Sequence, residues 1–178
     1  MHNRISNKKD YKEFLEADKT ANHIKRKYSI PFYDYMWIYL RIMRSLEYLE
    51  NCYPSHKRKI LKGLQNFRLR QYSVKLGISI EPNTFGKGLT LWHWGSIVVN
   101  PSVDGGDYVV IQSDVNISAN VIIGNNVYLA PGVKILENVK ISDNVIVGAN
   151  SVVTKDIQEC NTTWAGIPSK LLKNIGYK

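Results

Sequence analysis

An aliphatic side chain returns at every sixth position from Ile97 onward, through Val103, Val109, Val115, Val121, Val127, Val133, Val139 and Val145. A second series runs two residues out of phase: Ile111, Ile117, Ile123, Leu129, Ile135, Ile141, Val147 and Val153. Neither the helical period of about 3.6 nor the strand period of about 2 holds phase over such a span, so the repeat is itself the architecture. Each hexad reads as a short strand followed by a tight turn. Gly124, Ala130, Ser142 and Gly148 follow aliphatic residues and supply the small or polar side chain such a turn wants. Stacked on their equivalents one coil away, the aliphatic residues fill the interior of a parallel β-helix. The hexads run from Val99 to Gln158, with Gly105 as the one gap in the second series. The Asp104-Gly105-Gly106-Asp107 stretch at that gap reads as a bulged loop with too few ligands for calcium.

Residues 1–77 read differently, as an α-helical segment in front of the β-helix domain of residues 78–178. Asn7 is placed to cap a first helix running to about Asn22. Pro31 suits the first turn of a second, whose apolar face carries Tyr35, Ile38, Tyr39, Ile42, Met43, Leu46 and Leu49. Pro54 and Ser55 separate it from a third, Lys57 to Leu76, which Gly77 terminates in a left-handed cap. The aromatic run Phe32, Tyr33, Tyr35, Trp37 and Tyr39 is expected to pack helix against helix. Pro82, Gly86 and Gly88 break the opening coil, and from Glu159 the chain is expected to return to loop and short helix.

Charge divides the chain along the same line. Residues 1–77 hold 17 of the 24 Lys and Arg but only 7 of the 15 Asp and Glu. A basic module therefore precedes a near-neutral solenoid, as a solvated face or as an attractor of anionic substrate, membrane or glycan. No helix-turn-helix, zinc-finger or RNA-binding signature accompanies that charge, so nucleic acid is not the expected partner. The apolar stretch Ile30 to Met43 contains Asp34 and Arg41 and is too short for a transmembrane segment. Cys52 and Cys160 have no disulfide-framework or metal spacing, and no signal peptide is evident, which together point to a cytoplasmic protein.

Three stretches carry a resemblance. GLTLWHWGSIVVN, from Gly88 to Asn100, is similar to the segment holding the active-site histidine in serine O-acetyltransferases. It is more similar still to the serine-acetyltransferase-like proteins of bacterial surface-polysaccharide loci. NVYLAPGVKI, NVIVGANSVVTKDI and WAGIPSKLL then match the hexapeptide-repeat acyltransferase pattern through its C-terminal AG-x-P-x-K signature. The resemblance implies a left-handed β-helix, a homotrimer with active sites between subunits, and acetyl-CoA (coenzyme A) as the donor. It implies His93 as the base that takes a proton from an acceptor hydroxyl, since neutral imidazole titrates near working pH. Of His2, His23, His56 and His93, only His93 falls within the solenoid. By the same resemblance Ala130, Pro131, Gly148 and Ala149 line the pantetheine arm, and Lys155, Ala165, Gly166 and Lys170 lie near the adenosine phosphates. Small residues let the ligand approach the backbone, and lysines offset phosphate charge.

The sequence also departs from serine acetyltransferases. An acidic residue precedes their histidine, and here that position is Trp92. The histidine's acidic partner matches nearest to Ser79, leaving Glu81 as a substitute two residues on. Their glycine-rich loop with a second histidine is missing; hexads pass straight through SANVIIG, with Asn120 near that place. Trp92 and Trp94, if the strand is regular, lie opposite His93 and serve either packing or an aromatic wall for a sugar. The expected function is thus O-acetyl transfer to serine or to a polysaccharide sugar; the alternative is a non-catalytic trimeric scaffold or regulatory partner. The zinc chemistry of β-helix carbonic anhydrases needs three histidines, which one solenoid histidine does not meet, so no metal is expected.

Overall fold

Eighteen residues, three hexads, separate each strand from its partner in the next coil through most of the solenoid. Lys134 pairs with Asn116 and Val152 with Lys134; Ile122 pairs with Asp104, and Tyr128 with Val110. The computed structural model describes residues 4–26, 30, 33–54 and 56–177. Pro31, Phe32, Ser55 and His2 of the sequence reading lie outside them. Parallel strands of two or three residues form three faces. Face 1 is built from Ile78–Ser79, Ile97–Val99, Asn116–Ile117, Lys134–Ile135 and Val152–Val153. Face 2 holds Asp104–Gly105, Ile122–Ile123 and Lys140–Ile141. Face 3 holds Thr90–Leu91, Val110–Ile111, Tyr128–Leu129, Ile146–Val147 and Thr163–Ala165.

Both aliphatic series point inward and every member is buried, from Ile97 to Val153. The corners correct the turn reading. The left-handed residue lies three positions beyond the second-series aliphatic, not one: Asn120, Asn126, Asn138, Asn144 and Asn150 have φ between 52° and 57° or at 63°. Asparagine tolerates that conformation better than other side chains with a Cβ. Two of these corners are tied vertically, with Asn120 Nδ2 donating to Asn138 Oδ1 (3.2 Å), and Asn126 Nδ2 to Asn144 Oδ1 (3.0 Å). Gly124 and Gly148 are small for another reason, the closeness of the next coil. A Cβ at Gly124 would stand 2.8 Å from the Asp143 backbone nitrogen, and one at Gly148 would stand 2.9 Å from Ala165 Cβ.

Two further expectations give way. Asp104–Gly105 is a regular strand rather than a bulged loop, because Phe85 supplies the missing core volume. A Cβ at Gly105 would fall 2.1 Å from the Phe85 ring, which is 1% exposed. Beyond Glu159 the chain forms strands instead of short helix. Thr163–Ala165 continues face 3 and Lys170–Lys173 turns back antiparallel beside it, so the parallel stack ends on a reversed strand.

The helical segment comprises α1 (Lys8–Ala21), α2 (Tyr35–Cys52) and α3 (Lys59–Leu76). Asn7 Oδ1 caps α1 by accepting from Lys9 N (2.7 Å) and Asp10 N (3.0 Å). α2 starts at Tyr35 with Asp34 as its N-cap, later than Pro31 suggested. Gly77 ends α3 with φ 67°. The aromatic run splits. Tyr39 is fully buried with its hydroxyl donating to Ile80 O (3.2 Å), and burial pushes its phenol pKa up, whereas Tyr33 is exposed beneath Arg26.

A buried ionic clasp, invisible in the periodicity, fastens α1 and α2 to the first coil. Arg44, completely buried, donates through Nε to Asp18 (2.8 Å), through Nη1 to Glu47 (2.9 Å) and Phe85 O (3.0 Å), and through Nη2 to Gly86 O (2.6 Å). The carboxylates in turn accept from the first coil, Asp18 from Leu89 N (3.0 Å) and Glu47 from Asn83 N (2.8 Å). Burial alone favours a neutral guanidinium, yet Asp18 and Glu47 outweigh it and hold the Arg44 pKa above its ordinary value.

Candidate active site

Leu91 pairs with Ile111, a member of the second aliphatic series, although its position in the sequence is in phase with the first. Thr90 and Val110 are accordingly 20 residues apart, two more than the regular coil. Both additional residues fall in the corner between face 3 and face 1, where residues 92–96 leave the solenoid surface as a loop. Gly95 and Ser96, with φ 108° and 43°, let it turn back. His93 stands on this loop, exposed, and no hydrogen bond or ion pair holds its ring among the described residues.

The helical segment brackets the loop on both sides. Asn22, the C-cap of α1, accepts from Leu91 N (3.0 Å) and donates to Leu89 O (2.9 Å), which fixes the strand leading into the loop. On the far side Gly95 N donates to Leu76 O (2.8 Å) and Ile97 N to Gly77 O (3.0 Å). Below, Asp114 N reaches Gly95 O (3.2 Å). Sequence reasoning missed Asn22; a helix-ending asparagine carries no signal until the strand beside it is known.

That corner continues down the molecule as a column. Gly132 N donates to Ser113 O (3.0 Å), Asn150 N to Pro131 O (2.9 Å), and Val152 N to Gly166 O (3.0 Å). Ala130 N donates to Val147 O and Gly148 N to Trp164 O, which places Ala130, Gly148 and Ala165 one above another. Six of the sequence-predicted residues, Ala130, Pro131, Gly148, Ala149, Ala165 and Gly166, therefore share one edge with His93. With coils about 4.8 Å apart, the edge runs about 10 Å from the His93 coil to Ala130 and about 19 Å to Ala165. Ser151, fully buried where the first series would place an aliphatic residue, anchors its lower end by accepting from Gly166 N (3.0 Å).

Lys170 joins the edge through its antiparallel pairing with Ala165. Lys155 does not: it occupies the corner at the other end of face 1. Glu81 also stays apart from His93. It lies four residues along an extended chain from Gly77, about 13 Å, in a groove of about 640 Å³ shared with Ser79, Ser96 and Arg70. No hydrogen bond joins the two among the described residues.

Because residues 92–96 form a loop, strand alternation does not govern the flanking tryptophans. Trp92 lies over face 3 in an aromatic row, 6.3 Å from His23 and 6.5 Å from Tyr128. Trp94 is 68% exposed. Both line a recess of about 180 Å³ with Asn22, Asp34 and Trp37. Asn120 sits at a regular corner within its asparagine ladder, and the hexads around it keep their register. Among the described residues no cluster of three or more His, Cys, Asp or Glu has metal-binding proximity, and no helix is long and apolar enough to cross a membrane.

Residues 106–137 and 120–155 match the bacterial transferase hexapeptide (six repeats) family. No curated protein matches the chain. A solved serine acetyltransferase in complex with CoA superposes with a TM-score of 0.72 at 23% identity, over 93% of this chain and 71% of that one. Serine acetyltransferase from Brucella abortus strain S19 gives 0.73 at 22% identity, over 95% and 71%. The enzyme from Neisseria gonorrhoeae gives 0.73 at 24%, over 94% and 70%. At these identities the likeness establishes a fold: a left-handed parallel β-helix behind an α-helical segment.

Proposed function

We propose, from the match of residues 106–155 to the bacterial transferase hexapeptide family, that the protein is an acetyl-CoA-dependent O-acetyltransferase with His93 as its general base. One observation carries the reading: an exposed imidazole with no hydrogen bond among the described residues heads the same edge on which the small residues Ala130, Gly148 and Ala165 stack, with Ala149 and Gly166 exposed beside them. Small side chains there suit an extended pantetheine arm, and Lys170 at the lower end suits its phosphates. The thioester supplies the acetyl group. His93 accepts the proton of the acceptor hydroxyl as its oxygen attacks, then returns it to the departing thiolate, while a corner N–H stabilises the oxygen that gains charge. Similar solved structures with CoA and with serine bound support the donor and a hydroxyl-bearing acceptor. We place the sites between copies of a homotrimer, where a neighbouring chain would turn the open edge into a groove.

For the acceptor, Trp92 in place of an acidic residue removes a partner for an amino group. Trp94 and the recess beside it offer apolar faces to a sugar ring instead. We therefore favour a polysaccharide sugar over free serine. The test is thiol release from acetyl-CoA with each acceptor class. His93→Ala lowers the rate about 10²- to 10⁴-fold with the oligomer unchanged by light scattering; near-normal turnover discards the assignment. A second reading, a non-catalytic scaffold or regulatory partner, is favoured by Asn120 standing where an enzyme of this kind has a covering loop. Absence of CoA binding at millimolar concentration would select it.

A further inference from the structure

Helix α3 buries one face and leaves the opposite one bare. Leu69 and Leu76 are buried against the protein, whereas Ile60 is 91% exposed, Leu64 53%, Phe67 61% and Val74 85%. At about 100° per residue these four fall within one stripe, and over fourteen residues it extends about 21 Å. The helix has thus already docked, and the stripe is surplus to its own core.

Charge indicates what the stripe meets. Between Lys57 and Leu76 stand seven Lys and Arg and no Asp or Glu. Lys75 and Arg68 border the stripe on one side, Arg70 and Lys59 on the other, and all four are exposed. None of the seven is ion-paired among the described residues, whose ion pairs engage Arg4, Arg26, Arg44, Lys87 and Lys134 instead. Two copies meeting stripe to stripe would face cation against cation, which opposes association. An anionic lipid surface answers both features at once, taking the apolar side chains to the depth of the headgroups while the flanking cations reach phosphates.

We infer that α3 docks the protein flat onto an anionic bilayer, with Ile60, Leu64, Phe67 and Val74 inserted at the interface. Flotation of the full chain with vesicles tests this, comparing phosphatidylcholine alone with a 3:1 mixture of phosphatidylcholine and phosphatidylglycerol at low and high salt. The chain is expected on the anionic vesicles only, and less so at high salt. Replacing Arg68 and Arg70 together with Gln lowers partitioning about thirtyfold, about fivefold for each charge removed. Phe67→Ser with Val74→Ser lowers it at least about tenfold, with an unchanged thermal midpoint because both side chains are exposed. Failure of the unaltered chain to bind anionic vesicles, equal binding to neutral ones, or undiminished binding by the Phe67→Ser, Val74→Ser variant overturns the inference. So does a drop in oligomer size in that variant without vesicle binding by the parent, which would assign the stripe to a second copy.

Discussion

Each coil of the solenoid adds inward aliphatic residues at the same hexad positions, and five corners between Asn120 and Asn150 are asparagines, so its cohesion is distributed over many similar contacts between neighbours. In the helical segment three charges converge on one buried point, where Arg44 of α2 bonds to α1 and to the first coil. A repetitive structure loses a fraction of its stability when one contact goes. A clasp is lost whole. The difference also bears on function, because the loop carrying His93 sits where the two regions meet and takes hydrogen-bonded support from both.

Arg44→Ala is the severest test of that contrast. It leaves Asp18 and Glu47 buried without their cation and is expected to cost about 3–5 kcal/mol in denaturant unfolding. Hydrogen exchange should rise first in α1, α2 and the first coil, with the amides of residues 110–153 protected longer; a uniform rise would break the comparison. Leu129→Ala, in the middle of the stack, should cost about 3 kcal/mol through lost burial and a residual cavity. Its exchange signature should spread outward from the coils at 110–111 and 146–147, which pair with it. Least costly is Asn138→Ala, about 1 kcal/mol, since it removes one exposed ladder bond and a residue suited to the left-handed corner. A loss as large as that of Leu129→Ala would show that the ladders, rather than the aliphatic column, hold the coils together.

The solenoid was readable because its period is local. A residue's inward direction depends on its place in the hexad, and Ile97 through Val153 all obeyed. The places where prediction slipped are those where a neighbouring coil, not the local chain, sets the requirement. Gly124 and Gly148 are small to admit the coil beside them. Gly105 is a gap only until Phe85, twenty residues earlier, fills it. The tail escaped because Thr163–Ala165 becomes a strand by pairing with Ile146–Val147, a partner it does not share a pattern with. The His93 loop left no mark either, because Leu91 stands six residues before Ile97, in phase with the first series, and only its pairing with Ile111 reveals the two extra residues.

Hydrophobic period and turn chemistry, both short-range properties, were enough to specify a parallel β-helix behind three helices, while His93 was pointed to by the resemblance of the stretch that holds it. Tertiary structure alone decided that Ala130, Gly148, Ala165 and Lys170 share its edge while Glu81 and Lys155 do not. It likewise decided that Asp18, Arg44 and Glu47 form a single buried clasp. Such groupings depend on which coil or helix lies against which, and residues brought together by stacking leave no mark in the spacing of a linear chain.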